Sequence, residues 1–251
     1  MIFVTGDCHG DFSKFTEEYF PEQKELTRQD IVIVCGDFGI WHDTPEEREW
    51  LAWLDQRPFT TVFVDGNHEN FDRLCGDEFP VVDFCGAKAQ QIRPGIFHLL
   101  RGQVYLFEGK KFFAFGGASS HDISDGILDR ANFQSDRAFR EFVQRWAIQG
   151  KMFRINHLSW WKQELPTEEE LSAGLQTLIQ NENKVDYIIS HCAPQEIVAM
   201  LGLSDTDRLC QWFNTVAHTV SFKMWYFGHY HGDLRIMDKY TLLYDRIERV
   251  L

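Results

Sequence analysis

Residues 1–12 read MIFVTGDCHGDF: an apolar, largely β-branched run, IFVT (2–5), that breaks at Gly6 into Asp7, Cys8 and His9. A run of this length and composition reads as a buried strand. Four further runs repeat the plan: IVIVC (31–35), TVFV (61–64), YIIS (187–190) and MWYF (224–227). They lead into GDFG, DGNHE, HCAP and GHYHGD. Every strand ends in residues that ligate metals or move protons. Between the early runs lie helical stretches. Thr44-Pro45-Glu46-Glu47 combines a Thr N-cap, a Pro at the first helical position and a Glu at the third, and Thr167 with Glu170 repeats that spacing. Strands alternating with helices predict βα units in a mostly parallel sheet, whose functional residues collect beyond the carboxyl ends of the strands. The five polar strand ends are therefore expected to meet in one crevice.

The middle of the chain differs. IFHLL (96–100), VYLFEG (104–109) and KKFFAFGG (110–117) are closely spaced and separated by Gly turns, which predicts antiparallel hairpins and a second sheet; DLRIMDKYTLLYDRIERVL (233–251) looks similar. From 118 to 165 the pattern weakens around an amphipathic helix at 137–149, so this segment is expected to be a lid or cap insertion in a single domain spanning 1–251.

With 251 residues, 44% of them hydrophobic, one large core is available. Lys and Arg number 25 against 38 Asp and Glu, a formal charge of -13. That balance argues against a binder of long nucleic acid, whose affinity comes from cationic neutralisation of phosphates. The N-terminus lacks a basic stretch followed by an apolar one, and no apolar run is long enough to span a bilayer. A cytoplasmic protein with no membrane partner is expected. The cysteines include no C-x-x-C pair and read as reduced structural thiols, Cys8 included.

Asp7-x-His9 places a carboxylate and an imidazole two apart, on one side of an extended segment, where they can grip one cation. Asp37, after Gly36, has two oxygens with which to bridge two metals. Asn67 offers a neutral amide oxygen, while the adjacent His68, facing elsewhere, stays free to move a proton. His191 and the pair His229 and His231 add three imidazoles. Mixed oxygen and nitrogen donors suit Mn, Fe or Zn better than Ca.

Taken in order, G-D-x-H-G, G-D, G-N-H-E, a strand-end His and G-H-x-H resemble the calcineurin-like metallophosphoesterase family, over residues 6–231. The resemblance implies an α/β fold of four layers, a two-sheet β sandwich flanked by helices. It also implies two divalent metal ions. Asp7, His9, Asp37 and His231 would hold one, and Asp37, Asn67, His191 and His229 the other. A metal-bridging hydroxide would attack phosphorus, and His68 would protonate the leaving oxygen. GDCHG and GNHE are especially similar to the phosphoprotein phosphatase branch. There, however, the second motif continues to an acid and an arginine, G-D-x-x-D-R-G, and here Gly36-Asp37 runs on as Phe38-Gly39-Ile40-Trp41-His42-Asp43. His42, Asp43 or Arg73 are candidates to replace the missing pair, and His121, after the Gly-rich 116–117 turn, is a candidate to border the crevice. His98, His157 and His218 read as packing or surface residues.

The expected activity is hydrolysis of a small or medium phosphorylated substrate, a phosphomonoester before a phosphodiester or nucleotide. A non-catalytic scaffold on the same fold is the alternative from another class. All seven implied ligands and His68 are present, which weighs against it.

Overall fold

The structure, a computed structural model, describes residues 1–204 and 207–251. Strands β1 (Ile2–Thr5), β2 (Ile31–Val34), β3 (Thr60–Phe63), β4 (Val81–Phe84), β5 (Ala87–Arg93) and β6 (Ile96–Leu99) pair with β15 (Glu248–Arg249) in one sheet, in the order β15-β1-β2-β3-β6-β5-β4. A second sheet takes β7 (Gln103–Phe107), β8 (Lys110–Phe115), β11 (Tyr187–Ser190), β12 (Met224–Phe227), β13 (Leu234–Ile236) and β14 (Tyr240–Leu242), in the order β13-β14-β12-β11-β8-β7. The centre of each sheet is parallel and its edges are antiparallel. β9 (Gly126–Leu128) and β10 (Phe153–Ile155) form a separate parallel pair.

The central strands are buried on both faces because each face meets a different layer. Ile2 and Val4 of β1 point between the sheets, with Ile33, Val62, Phe112, Ile189 and Tyr226. Phe3, Val32, Val34 and Phe63 point outward against Leu51 and Leu54 of helix α1 (Pro45–Asp55). On the far side, Phe113, Ile188 and Trp225 pack against α4 (Glu168–Gln180), α5 (Gln195–Met200) and α6 (Arg208–Thr219) through Leu178, Val198 and Phe213. The chain thus has the four-layer helix–sheet–sheet–helix arrangement. Among the described residues the other α-helices are the single turn α2 (Phe71–Leu74) and α3 (Asp136–Ile148).

The five motif-bearing runs divide three and two between the sheets, so the crevice lies across the mouths of two parallel sheets and not along one. IFHLL was expected in the second sheet with its neighbours. Instead β6 runs parallel to β3 in the first, paired on its other edge with β5, a strand whose polar sequence AKAQQIR gave no periodic signal. The 104–109 and 110–117 runs do form a hairpin, β7–β8. Within 118–165, α3 buries none of its residues fully, and Phe133, Phe142, Trp146 and Phe153 pack chiefly on one another. Among the described residues, no helix is long and apolar enough to cross a membrane.

The helix starts follow the sequence with one difference. Thr167 and Glu170 complete a reciprocal capping box. At α1, Thr44 accepts from the Glu47 amide, but the Glu47 carboxylate turns outward to accept from the amides of Trp41 and Asp43, tying down the loop that follows Asp37. Replacing Thr167 by Ala removes an N-cap acceptor and should lower stability by about 1 kcal/mol. Equilibrium urea denaturation measures this, and a midpoint equal to that of the parent chain would contradict the assignment.

Candidate metal centre

Asp7, Asp37, Asn67 and His191 lie at the ends of β1, β2, β3 and β11, each almost fully withdrawn from solvent. The chain leaves the extended state where the side chains converge. His9, Asp37, His229 and His231 all adopt positive φ, at 50°, 45°, 70° and 45°. That conformation is uncommon for residues other than glycine. Asp7-x-His9 and His229-x-His231 therefore do not follow the extended-strand geometry expected of them. His9 still meets Asp7, with Nε2 3.7 Å from Oδ2. The two imidazoles of the second pair face different neighbours: His231 meets His9 and Asp7, while the His229 ring packs beside those of His191 and His121.

The glycines before the acids make this packing possible. At Gly36, whose φ is +90°, a Cβ would lie 2.2 Å from His191 Nδ1; at Gly66 it would lie 2.1 Å from Asp37 Oδ1. Both distances are below van der Waals contact, so G-D and G-N are steric requirements of the site. Backbone amides then hold the carboxylates. His68 N donates to Asp37 Oδ1 at 2.7 Å, and His229 N donates to Asp7 Oδ1 at 3.0 Å. Asp37's own carbonyl accepts from the amides of Cys8 and His9.

His191 Nδ1 donates to the Cys35 carbonyl at 2.7 Å, which leaves Nε2 facing Asp37 Oδ1 at 3.3 Å and Asn67 Oδ1 at 3.3 Å. Burial opposes a charge on His191, but Asp37 and Asp7 outweigh it and push the imidazole up to about 10. Burial likewise opposes ionisation of Asp37, and His191 with the neighbouring His68 and His9 draws its carboxyl well below the usual range. His229 is held neutral by burial, reinforced by His191 and His121. The Asp7 Oδ2 atom is buried and accepts no hydrogen bond. Its neighbours are imidazole nitrogens, His231 Nε2 at 3.3 Å and His9 Nε2 at 3.7 Å, and Asp7 in turn raises His231; a buried carboxylate so placed needs a cation, imidazolium or metal, beside it.

The donors gather in two groups, Asp7 with His9 and His231, and Asp7 with Asp37 and His191. Asp37 stands between them, Oδ1 toward His191 and Oδ2 3.8 Å from His9 Nδ1. Asn67 turns its amide NH2 to Ser120 Oγ at 3.3 Å, and Ser120 donates to Glu164 Oε2 at 2.7 Å. This chain presents the Asn67 oxygen to the His191 side. His229 Nε2 faces His121 Nε2 at 2.5 Å.

His68 lies at the edge of the cluster, its ring 5.2 Å from that of His9. It is lowered to about 4, first by burial and further by the Arg154 guanidinium, against the pull of Asp37. Of the candidates outside the motifs, His121 joins the cluster. His42 reaches Asn70 at 3.5 Å, Asp43 pairs with Arg48, and Arg73 is taken up by Glu47 and Glu78; none of the three is brought to the ligands. His98 is buried between Gln90 and Asp65, His157 pairs with Asp72, and His218 with Glu196. Four contributors were not anticipated. Glu69 accepts from the amides of Phe38, Gly39 and Ile40 and so shapes the loop after Asp37, which accounts for the final residue of GNHE. Ser120 directly precedes the candidate His121, whereas Glu164 and Arg154 lie in no motif.

A sequence profile described as calcineurin-like phosphoesterase matches residues 1–233. Among curated proteins, the chain is similar to lariat debranching enzyme A of Xenopus laevis, 26% identical over 152 residues, which is 54% of this chain and 27% of that protein. It is also similar to the lariat debranching enzyme of Gallus gallus, 25% identical over 145 residues, 51% of this chain and 25% of that protein. The match spans about a quarter of the length of these relatives.

Glu69→Ala would leave three amides without their acceptor in a fully buried site. A loss of at least about 3 kcal/mol follows, since each unmet buried donor costs roughly 1–3 kcal/mol. Chemical denaturation of the variant reads this directly; a loss below 1 kcal/mol, a figure set by the lower end of that range, about, would remove Glu69 from the support of the loop.

Proposed function

The chain belongs to the calcineurin-like phosphoesterase family; from that premise we propose that it is a hydrolase acting on phosphate ester bonds and works through a dinuclear centre built from the residues described above. Members of the family generally use two divalent metals. In this reading Asp7, His9, Asp37 and His231 hold one, and Asp37, Asn67, His191 and His229 hold the other, with Mn, Fe or Zn favoured by the mixed donors. The observation that carries the proposal is the convergence of His9 and His231 ring nitrogens on the buried Asp7 Oδ2, beside the second donor group of Asp7, Asp37 and His191. When bound, the metals supply positive charge for the phosphoryl oxygens and acidify water near neutral pH.

The chain's own residues do the rest. Asp7 and Asp37, fixed by backbone amides, hold their geometry without reorganising. His191 is oriented by Cys35, and Asn67 by Ser120 and Glu164. His68 stays off the metals because its own amide is tied to Asp37 while its ring turns toward Arg154. There it can pass a proton from a ring nitrogen to the departing oxygen. The charge of an arriving phosphate offsets the effect of Arg154 on its protonation.

The substrate we favour is a small or medium phosphomonoester, because the acidic chain is poorly suited to a long polyanion. A phosphodiester is the second reading, favoured by the similarity to lariat debranching enzymes. Turnover of p-nitrophenyl phosphate against bis(p-nitrophenyl) phosphate separates the two. Chelation should abolish either activity and Mn²⁺ should restore it; hydrolysis that survives exhaustive chelation would overturn the dinuclear reading.

His68→Asn is expected to keep metal content and fold while losing about 100-fold or more in turnover of a poorly activated alkyl ester. The loss on p-nitrophenyl esters, whose leaving group needs little help, should be smaller. Equal losses on both would remove His68 from proton transfer.

A further inference from the structure

Arg154, on β10 of the 118–165 segment, presses its guanidinium against His68, the imidazole assigned above to proton transfer. Its Nη2 is 3.1 Å from His68 Nε2 and its Nη1 is 3.3 Å from His68 Nδ1. A neutral imidazole has a single acceptor nitrogen and a guanidinium has none, so only one of these contacts can be a hydrogen bond. The other sets N–H against N–H.

The remaining donors are committed. Nε donates to Asp122 Oδ1 at 2.6 Å, and Nη1 donates to the Ser159 carbonyl at 2.9 Å. Both partners come from the same segment, so it holds its arginine in a fixed orientation. Nη2 alone donates to no oxygen among the described residues. The side chain is only 11% exposed. A fixed, largely buried cation with an unused N–H beside a metal centre is electrostatically unfavourable until an anion arrives. Guanidinium geometry suits the oxygens of a phosphate.

We propose that Arg154 is a substrate-binding residue whose Nη2 grips a nonbridging oxygen of the scissile phosphate beside His68, with Asp122 as the residue that positions it. The proposal rests on the phosphoesterase reading above. It gives the 118–165 segment a part in substrate recognition. It also places the phosphate-facing cation on an element far in sequence from Asp37, where Arg73 and the 38–43 loop do not supply one.

The test uses the full chain loaded with Mn²⁺ and whichever of the two p-nitrophenyl esters the parent hydrolyses, with inorganic phosphate as inhibitor. Arg154→Ala should lower kcat/KM by about 100-fold and weaken phosphate inhibition by about tenfold or more, with metal content and thermal midpoint unchanged. Free guanidinium ion should restore part of that activity, which a merely structural role would not allow. Arg154→Lys should be intermediate, because an ammonium lacks the planar fork, and Asp122→Asn should show a smaller loss of the same kind. Phosphate affinity within about twofold of the parent in Arg154→Ala would overturn the proposal. If that variant does not fold, parent-like phosphate affinity in both Arg154→Lys and Asp122→Asn would overturn it. A metal-loaded parent that hydrolyses no phosphate ester would instead defeat the phosphoesterase reading, and calorimetric titration of phosphate into parent and variants would still decide the role of Arg154.

Discussion

Two carboxylates, Asp7 and Asp37, sit out of water where the mouths of two β-sheets meet, and the architecture around them follows from that placement. Charge in such a setting has to be met by donors, imidazolium or metal. The chain provides one backbone amide to each carboxylate, His191 between them, and for Asp7 Oδ2 the ring nitrogens of His231 and His9. Asp7, His9 and His231 thereby gather three donor atoms that could hold a cation. Dividing the strands between two sheets is what allows carboxylates from β1 and β2 to face imidazoles from beyond β11 and β12.

Close approach of the sheets has consequences for the backbone. Four of the site residues occupy left-handed conformations, each a local cost on the order of 1 kcal/mol or more that surrounding contacts must overcome. The contacts are specific. Asp37's carbonyl receives two amides from the first motif, and Glu69 receives three from the loop after the second. Gly36 and Gly66 leave room for His191 and Asp37. The motifs are thus interlocked: each supplies an atom that fixes the backbone of another, so the GNHE glutamate is as much a part of the GD loop as of its own.

The 118–165 segment contributes differently. Its helix and two short strands bury little, and its aromatic residues pack largely among themselves. Yet it reaches the centre at three points: Ser120 on Asn67, His121 on His229 and Arg154 on His68. Glu164, buried at its far end, anchors the first of these through both its oxygens. The segment thus meets the candidate site through a few polar side chains and the core through few apolar ones.

Legibility in the sequence divides along the same line. The strands, their polar ends, the helix caps at Thr44 and Thr167, and the family itself were readable, because periodicity, capping and G-D or G-N-H-E spacing are local properties of neighbouring residues. The placement of β6 in the first sheet was not, since its partner β5 carries no alternating pattern, and neither was the left-handed turn at His9 or His231, which arises from contacts across the crevice. Arg154, Ser120 and Glu164 had no signal beyond residue type. By itself the sequence determined which donor side chains follow the strands and in what order. Only the tertiary structure decided which of them meet, and that a guanidinium 86 residues from His68 in the chain lies against it, because hydrogen bonds between distant segments are made by packing and leave no periodic trace.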